Sequence, residues 1–217
     1  MTSAAGVAGG SPPGWLAKLL QAAGGLEAAD LSRSTPPPGG GRESAVLVLF
    51  GEGTDGPDVL LIERSGHSRQ HPGQAAFPGG AVEPDDDGPA STALREAAEE
   101  TGLDPAGVEV LAVLPALWLP PSGFLVVPVV AWWRTPSVVG VADAFEVAAV
   151  ARVPIARLVE PTNRFRVRHP SGNVGDAFEV ADLFVWGFTA GLLSRLLEIG
   201  GWSVPWNAAD VRDLPSL

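Results

Sequence analysis

The chain has 217 residues, a formal net charge of −11, 46% hydrophobic residues and no cysteine. That length fits one domain with a full core. The missing cysteines exclude disulfides, thiolate metal sites and a cysteine nucleophile, and are compatible with the cytoplasm. The acidic balance argues against a nonspecific nucleic-acid partner.

No run reaches the length of a membrane span, and the N-terminus lacks the basic and apolar regions of a signal peptide. Residues 1–12 are small and Gly/Pro-rich and predict no ordered structure. Residues 14–22 predict a short amphipathic helix with Trp15, Leu16, Leu19 and Leu20 on its apolar face, packing on the domain. Residues 34–41, STPPPGGG, read as a linker. The reading divides the chain into an arm, 1–43, and a main domain, 44–217.

Residues 45–50 and 59–62 are apolar runs around a turn and predict a hairpin. Residues 65–73 form a polar loop, 75–77 a short strand, and Pro78-Gly79-Gly80 a turn where glycine permits close approach of a ligand. An acidic loop with Glu83, Asp85, Asp86 and Asp87 follows. Pro89 suits a first helical position and Gly102 a C′ position, so a helix is predicted between them. Leu94, Ala97, Ala98 and Thr101 fall at helical spacing and predict its inward stripe.

Glu96, Glu99 and Glu100 recur at i, i+3 and i+4 on that helix. Like charges so placed repel, and two of them sit at the wrong end for the helix dipole. A hard divalent cation reverses that penalty, since Mg²⁺ takes carboxylate oxygens together with substrate phosphates. Arg95 reaches Glu99 at i+4 and can fix its rotamer.

Residues 108–117 predict a strand, 119–123 a loop, and 124–133 a central strand by its apolar run. Trp132 and Trp133 point to opposite faces, which makes one of them a candidate for an interface and leaves a homodimer open. Residues 136–142 read as a loop and 148–153 as a strand. Arg164, Arg166 and Arg168 alternate along a strand and share a face, either for a phosphate-rich ligand or as a solvated edge. Residues 178–185 contain a last short strand and 186–199 a helix, and the final fifteen residues read as irregular.

Two motifs carry a family resemblance. The run 95–103, REAAEETGL, resembles the core of the Nudix box. Gly80 lies fifteen residues before Arg95 where the box has fourteen, so either Asp86 or Asp87 takes the place of the first glutamate. Upstream, Leu60, Leu61, Arg64, Ser65, Arg69, Gly73, Phe77, Pro78, Gly79 and Gly80 match the signature of the coenzyme A pyrophosphatase-type subgroup. Ile62 departs from it, as does Ala149 from a downstream pattern whose first glutamate is Glu146.

The resemblance implies an α/β fold, a Nudix-type α/β/α sandwich with a mixed β-sheet. It implies a pyrophosphohydrolase using Mg²⁺ or Mn²⁺ on a small-molecule nucleotide. Gly80, Glu96, Glu99 and Glu100 would hold metal, and Arg95, Glu96, Glu99 and Glu146 would serve catalysis. Arg64, Arg69, His71 and Gly79 would touch substrate. The expected reaction cleaves coenzyme A or acyl-coenzyme A to 3′,5′-ADP and 4′-phosphopantetheine or its acyl form. ADP-ribose or NADH as substrate, and a Nudix-fold binding module without catalysis, are the alternatives.

Overall fold

The computed structural model describes residues 11–67, 73–120 and 122–215. A 3-10 turn at Gly14–Leu16 leads into helix α1 (Ala17–Ala23), and α2 (Ala28–Leu31) follows. The chain then forms strands β1 (Arg42–Gly53), β2 (Gly56–Arg64), β3 (Ala75–Ala76) and β4 (Gly79–Ala81), and helix α3 (Pro89–Thr101). Next come β5 (Val108–Val113), β6 (Leu117–Leu119), β7 (Phe124–Trp133), β8 (Val147–Pro154) and α4 (Ile155–Val159). The last part holds β9 (Arg164–Arg168), β10 (Val174–Val180), β11 (Leu183–Val185), α5 (Gly187–Ile199) and β12 (Val211–Asp213).

The main sheet is mixed. Its order is β3-β2-β1-β7-β5, with β4 on β1, β6 on β7 and β8 on β2. β1 and β7 run parallel at the centre, with Val46 opposite Pro128 and Val48 opposite Val130. Both are buried on two faces, which explains their unbroken apolar runs. α3 covers one face, where Ala93 and Ala97 pack on Ala45, Leu47, Leu49 and Val129. The other face carries the larger core, built with Leu16 and Leu19 of the arm and Leu192, Leu193, Leu196 and Leu197 of α5. The architecture is therefore the expected α/β sandwich.

The N-terminal helix packs on the domain, with Leu16 and Leu19 fully buried. Trp15, Phe50 and Trp202 form an aromatic cluster with centroids 5.6 to 6.3 Å apart. A second sheet, β11-β10-β9-β12, stands beside the main one.

Several sequence expectations change here. The strand over 108–117 divides into β5 and β6 around Pro115, and a register shift falls within β5 between Val110 and Ala112. The single strand over 178–185 is a hairpin turning at Ala181 and Asp182, both with positive φ. The final residues are not wholly irregular, since Val211–Asp213 pairs with β9. β9 is thus an inner strand, and Arg164 is 2% exposed rather than solvated. Its guanidinium donates to Ser194 and Ser203 at 2.9 Å and lies over Trp206. Arg166 and Arg168 lie 3.6 and 4.0 Å from carboxylate oxygens of Asp176 and Asp213. Trp133 is buried and Trp132 half-buried, so neither is an exposed interface residue.

Candidate active site

α3 begins with Pro89 in its first turn and ends at Gly102 in the left-handed region, φ 69°. Its inward stripe is rotated from the predicted one. Ala93, Ala97 and Thr101 are buried, while Leu94 and Ala98 are half-buried. The rotation carries Glu100 inward to 2% exposure. Glu99 stays outside, with its side chain 60% exposed, and Glu96 lies between them.

β4 brings Gly79 and Gly80 against this helix. The Gly79 N–H donates to Glu100 Oε2 at 2.9 Å. A Cβ on Gly80 would fall 2.3 to 2.7 Å from the Glu96 carboxylate. The missing side chain is therefore what lets Glu96 reach past β4 into the cleft. A Cβ on Gly79 would meet the Ala45 carbonyl at 2.3 Å, so that glycine sets how closely β4 lies on β1.

Arg95 organises the outer side. Its Nη1 lies 3.1 Å from Glu96 Oε1 and 3.1 Å from Glu99 Oε2. Its Nε and Nη2 donate to Asp86 Oδ1 and Oδ2 at 3.1 Å, and Nη2 also donates to the Ala81 carbonyl. Asp86 further accepts from Thr92 Oγ1 and the Glu83 N–H. These bonds, the Arg95 pair first, hold its carboxyl well below the usual range. Asp86, six residues after Gly80, thus plays the anchoring part, and the extra loop residue falls between Asp86 and the helix.

Arg64 and Glu146 come from β2 and the entry to β8. A register shift between Glu63 and Arg64 disturbs that ladder, the kind of irregularity that re-aims side chains. Arg64 Nη2 donates to the Gly79 carbonyl at 3.2 Å. The Ser65 N–H donates to the Glu146 carbonyl at 2.8 Å, and the Ser65 hydroxyl donates to Phe145. This pins Glu146 beside Arg64.

Glu96, Glu146, Arg64, Gly79 and Gly80 line one cleft of about 1210 Å³. That exceeds the roughly 300–1,000 Å³ of drug-sized pockets. The cleft continues between the main sheet, at Arg42 and Phe124, and the second sheet, at His169 and Trp186. Sequence reading missed these distal residues, since nothing in a local pattern brings 42 and 186 together. Arg69 and His71 lie outside the described residues.

The electrostatics favour a bound cation. Burial raises the Glu100 carboxyl to about 7, and the charges of Glu96 and Glu146 add to the shift against opposition from Arg64 and the Gly79 N–H. Burial also raises Glu96, opposed by Arg95 and reinforced by Glu99 and Glu146. Among the described residues no three acid or histidine groups already close around a single point. Arg95 draws Glu96 and Glu99 to its guanidinium instead. The donor chemistry nevertheless fits a hard divalent ion, being all carboxylate oxygen with excess negative charge.

A family model described as NUDIX domain matches residues 41–170. The chain is 40% identical over 167 residues to the uncharacterized Nudix hydrolase NudL of Escherichia coli strain K12, covering 73% of this chain and 83% of that protein. The corresponding protein of strain O7:K1 gives the same identity and coverage. In fold the chain is similar to RenU, a Nudix hydrolase from M. smegmatis, with TM-score 0.50 and 23% identity, covering 77% of this chain and 91% of that one. A NUDIX hydrolase from Nitrosomonas europaea also has TM-score 0.50, at 15% identity and 84% coverage of both chains. Nudix hydrolases generally use divalent metal ions. With 130 contiguous residues inside the family model and the box helix set against Gly79-Gly80, the chain belongs to the Nudix family and is a hydrolase of phosphoric anhydrides.

Proposed function

We propose that the protein hydrolyses the diphosphate of coenzyme A or an acyl-coenzyme A, releasing 3′,5′-ADP and 4′-phosphopantetheine or its acyl form. The observation that carries this reading is the placement of the subgroup signature. Arg64, Phe77, Gly79 and Gly80 line the same cleft as Glu96 and Glu146, and Arg64 is tied to Gly79. The length of the cleft suits a substrate larger than its diphosphate.

Glu96, Glu99 and Glu100 would hold Mg²⁺ or Mn²⁺, with Gly80 beside them. When bound, the ion supplies positive charge against the diphosphate oxygens and acidifies water in the site. The other roles belong to the chain. Arg64, fixed by one N–H on Gly79, keeps its remaining N–H groups for phosphate oxygens, a pairing suited to a planar guanidinium. Arg95 orients Glu96 and Glu99 while Asp86 anchors Arg95. Glu96 and Glu146 are the carboxylates facing the cleft, and either can accept the proton of the attacking water at a carboxylate oxygen. Arg69 and His71 retain their proposed place at the substrate.

The test is incubation of purified protein with coenzyme A and Mg²⁺ or Mn²⁺, beside ADP-ribose and NADH, with products resolved by mass. Metal-dependent release of 3′,5′-ADP, fastest from coenzyme A, is the expected result. Turnover confined to ADP-ribose or NADH would discard the coenzyme A reading and leave the hydrolase. Ligand binding without turnover of any substrate would favour a binding module.

A further inference from the structure

The wall of the cleft beyond the carboxylates is built by β1 and β7. Alternation puts residues 42, 44 and 46 of β1 on one face, and Arg42, Ser44 and Val46 all line the cleft. Ala45 is the ladder partner of Gly80. Arg42 is three residues further along, a displacement of about 10 Å at roughly 3.3 Å per residue.

Arg42 is held there by the neighbouring strand. It pairs with Phe124 across the β1–β7 ladder, and its guanidinium carbon lies 4.8 Å from the Phe124 ring centroid. Such stacking fixes the plane of the guanidinium while leaving its N–H groups free. Among the described residues Arg42 joins no ion pair. The hydroxyl-bearing residues Ser44 and Ser122 line the same wall. In a chain of net charge −11, this is a cation kept without a carboxylate on the wall of an anion-handling cleft.

We infer that Arg42 is a specificity-determining residue that takes the 3′-phosphate on the ribose of the substrate, leaving Arg64 for the diphosphate. This rests on the coenzyme A reading given above. The two phosphates of such a substrate are separated by a ribose, and the two arginines are separated along the cleft in the same sense. A phosphomonoester carries more than one negative charge near pH 7, and a guanidinium fork matches its oxygens. ADP-ribose and NADH have no such group, so Arg42 separates these substrate classes.

The test compares wild type and Arg42→Gln on coenzyme A and on 3′-dephospho-coenzyme A with Mg²⁺. Calorimetric binding of 3′,5′-ADP and of 5′-AMP runs alongside. A hydrogen-bonded charge pair predicts a wild-type preference for the 3′-phosphorylated substrate of about 10-fold or more in kcat/KM, carried mainly by KM. Arg42→Gln should abolish that preference and change the rate on the dephospho substrate by less than about twofold, with Arg42→Lys intermediate. The side chain is exposed, so an unchanged melting temperature is expected and checks the fold. Equal use of both substrates by wild type, or equal loss on both in the variant, overturns the inference. If neither substrate is cleaved, the proposed function fails separately. Arg42-dependent preference for 3′,5′-ADP over 5′-AMP would then still support the subsite, and equal binding would overturn it.

Discussion

Glu100 is a carboxyl placed where its charge is least welcome. Its ordinary value of 4.5 is raised to about 7, chiefly by burial, so the folded metal-free protein holds that proton more tightly than the unfolded chain. The resulting stabilisation is full below about pH 4.5 and is lost as pH rises through about 7. Its size is on the order of 3 kcal/mol. Melting temperatures in EDTA should therefore fall from about pH 5 to about pH 8, and Glu100→Gln should flatten that slope. Added Mg²⁺ should raise the wild-type melting temperature more at the higher pH. A wild-type profile already flat in EDTA would contradict the assignment. Glu99 is the opposite case, a carboxylate with its side chain 60% exposed. Glu99→Gln should leave stability within about 0.5 kcal/mol and lower kcat by more than about 100-fold, beyond the loss typical of an outer-shell partner. Wild-type activity in that variant would remove Glu99 from the metal set.

At the scale of elements, the contact between α3 and β4 is controlled by two adjacent glycines with different duties. Gly79 faces the backbone of β1, with φ 156° and an Ala45 carbonyl where a Cβ would go. At Gly80 the nearest atoms to a Cβ are the end of the Glu96 side chain. Gly79→Ala should thus cost more than about 1 kcal/mol in urea unfolding. Gly80→Ala should spare stability and depress turnover, because Glu96 can rotate away but then leaves its place in the cleft. Equal effects of the two changes on stability would show that the helix–strand spacing is set elsewhere. The existence of this pair was legible in the sequence, since a Gly-Gly turn ahead of an amphipathic acidic helix is a local pattern. Which carboxylate turned inward was not, because rotation about the α3 axis is fixed by Ala93 and Ala97 packing on β1 and β7. Arg164 was hidden because its partners Ser194 and Ser203 are 30 and 39 residues away. The hairpin at Ala181 and Asp182 lacked the glycine that usually announces positive φ.

For the whole molecule, the arm and the box helix stabilise different faces of one sheet. Leu19 is fully buried in the larger core, although it precedes the residues matched by the family model. Leu19→Ala should cost about 2–5 kcal/mol in urea unfolding and leave kcat within about twofold, since among the described residues neither α1 nor α2 contributes to the cleft. A large loss of kcat without loss of stability would instead tie the arm to the site. The central sheet was readable from its apolar runs. The cleft between two sheets was not, because it depends on how β9, β10 and α5 dock against β1 and β7.

The docking of that arm also has a consequence for synthesis on the ribosome. The Asp30 carbonyl accepts from Arg195 Nε, a partner 165 residues later. At the usual 5–20 residues per second the arm waits roughly 10–30 s before the helix that covers it has been made. Throughout that interval Trp15, Leu16 and Leu19 are an uncovered apolar segment of the nascent chain, available to chaperones, and the larger core closes only after α5 has been made.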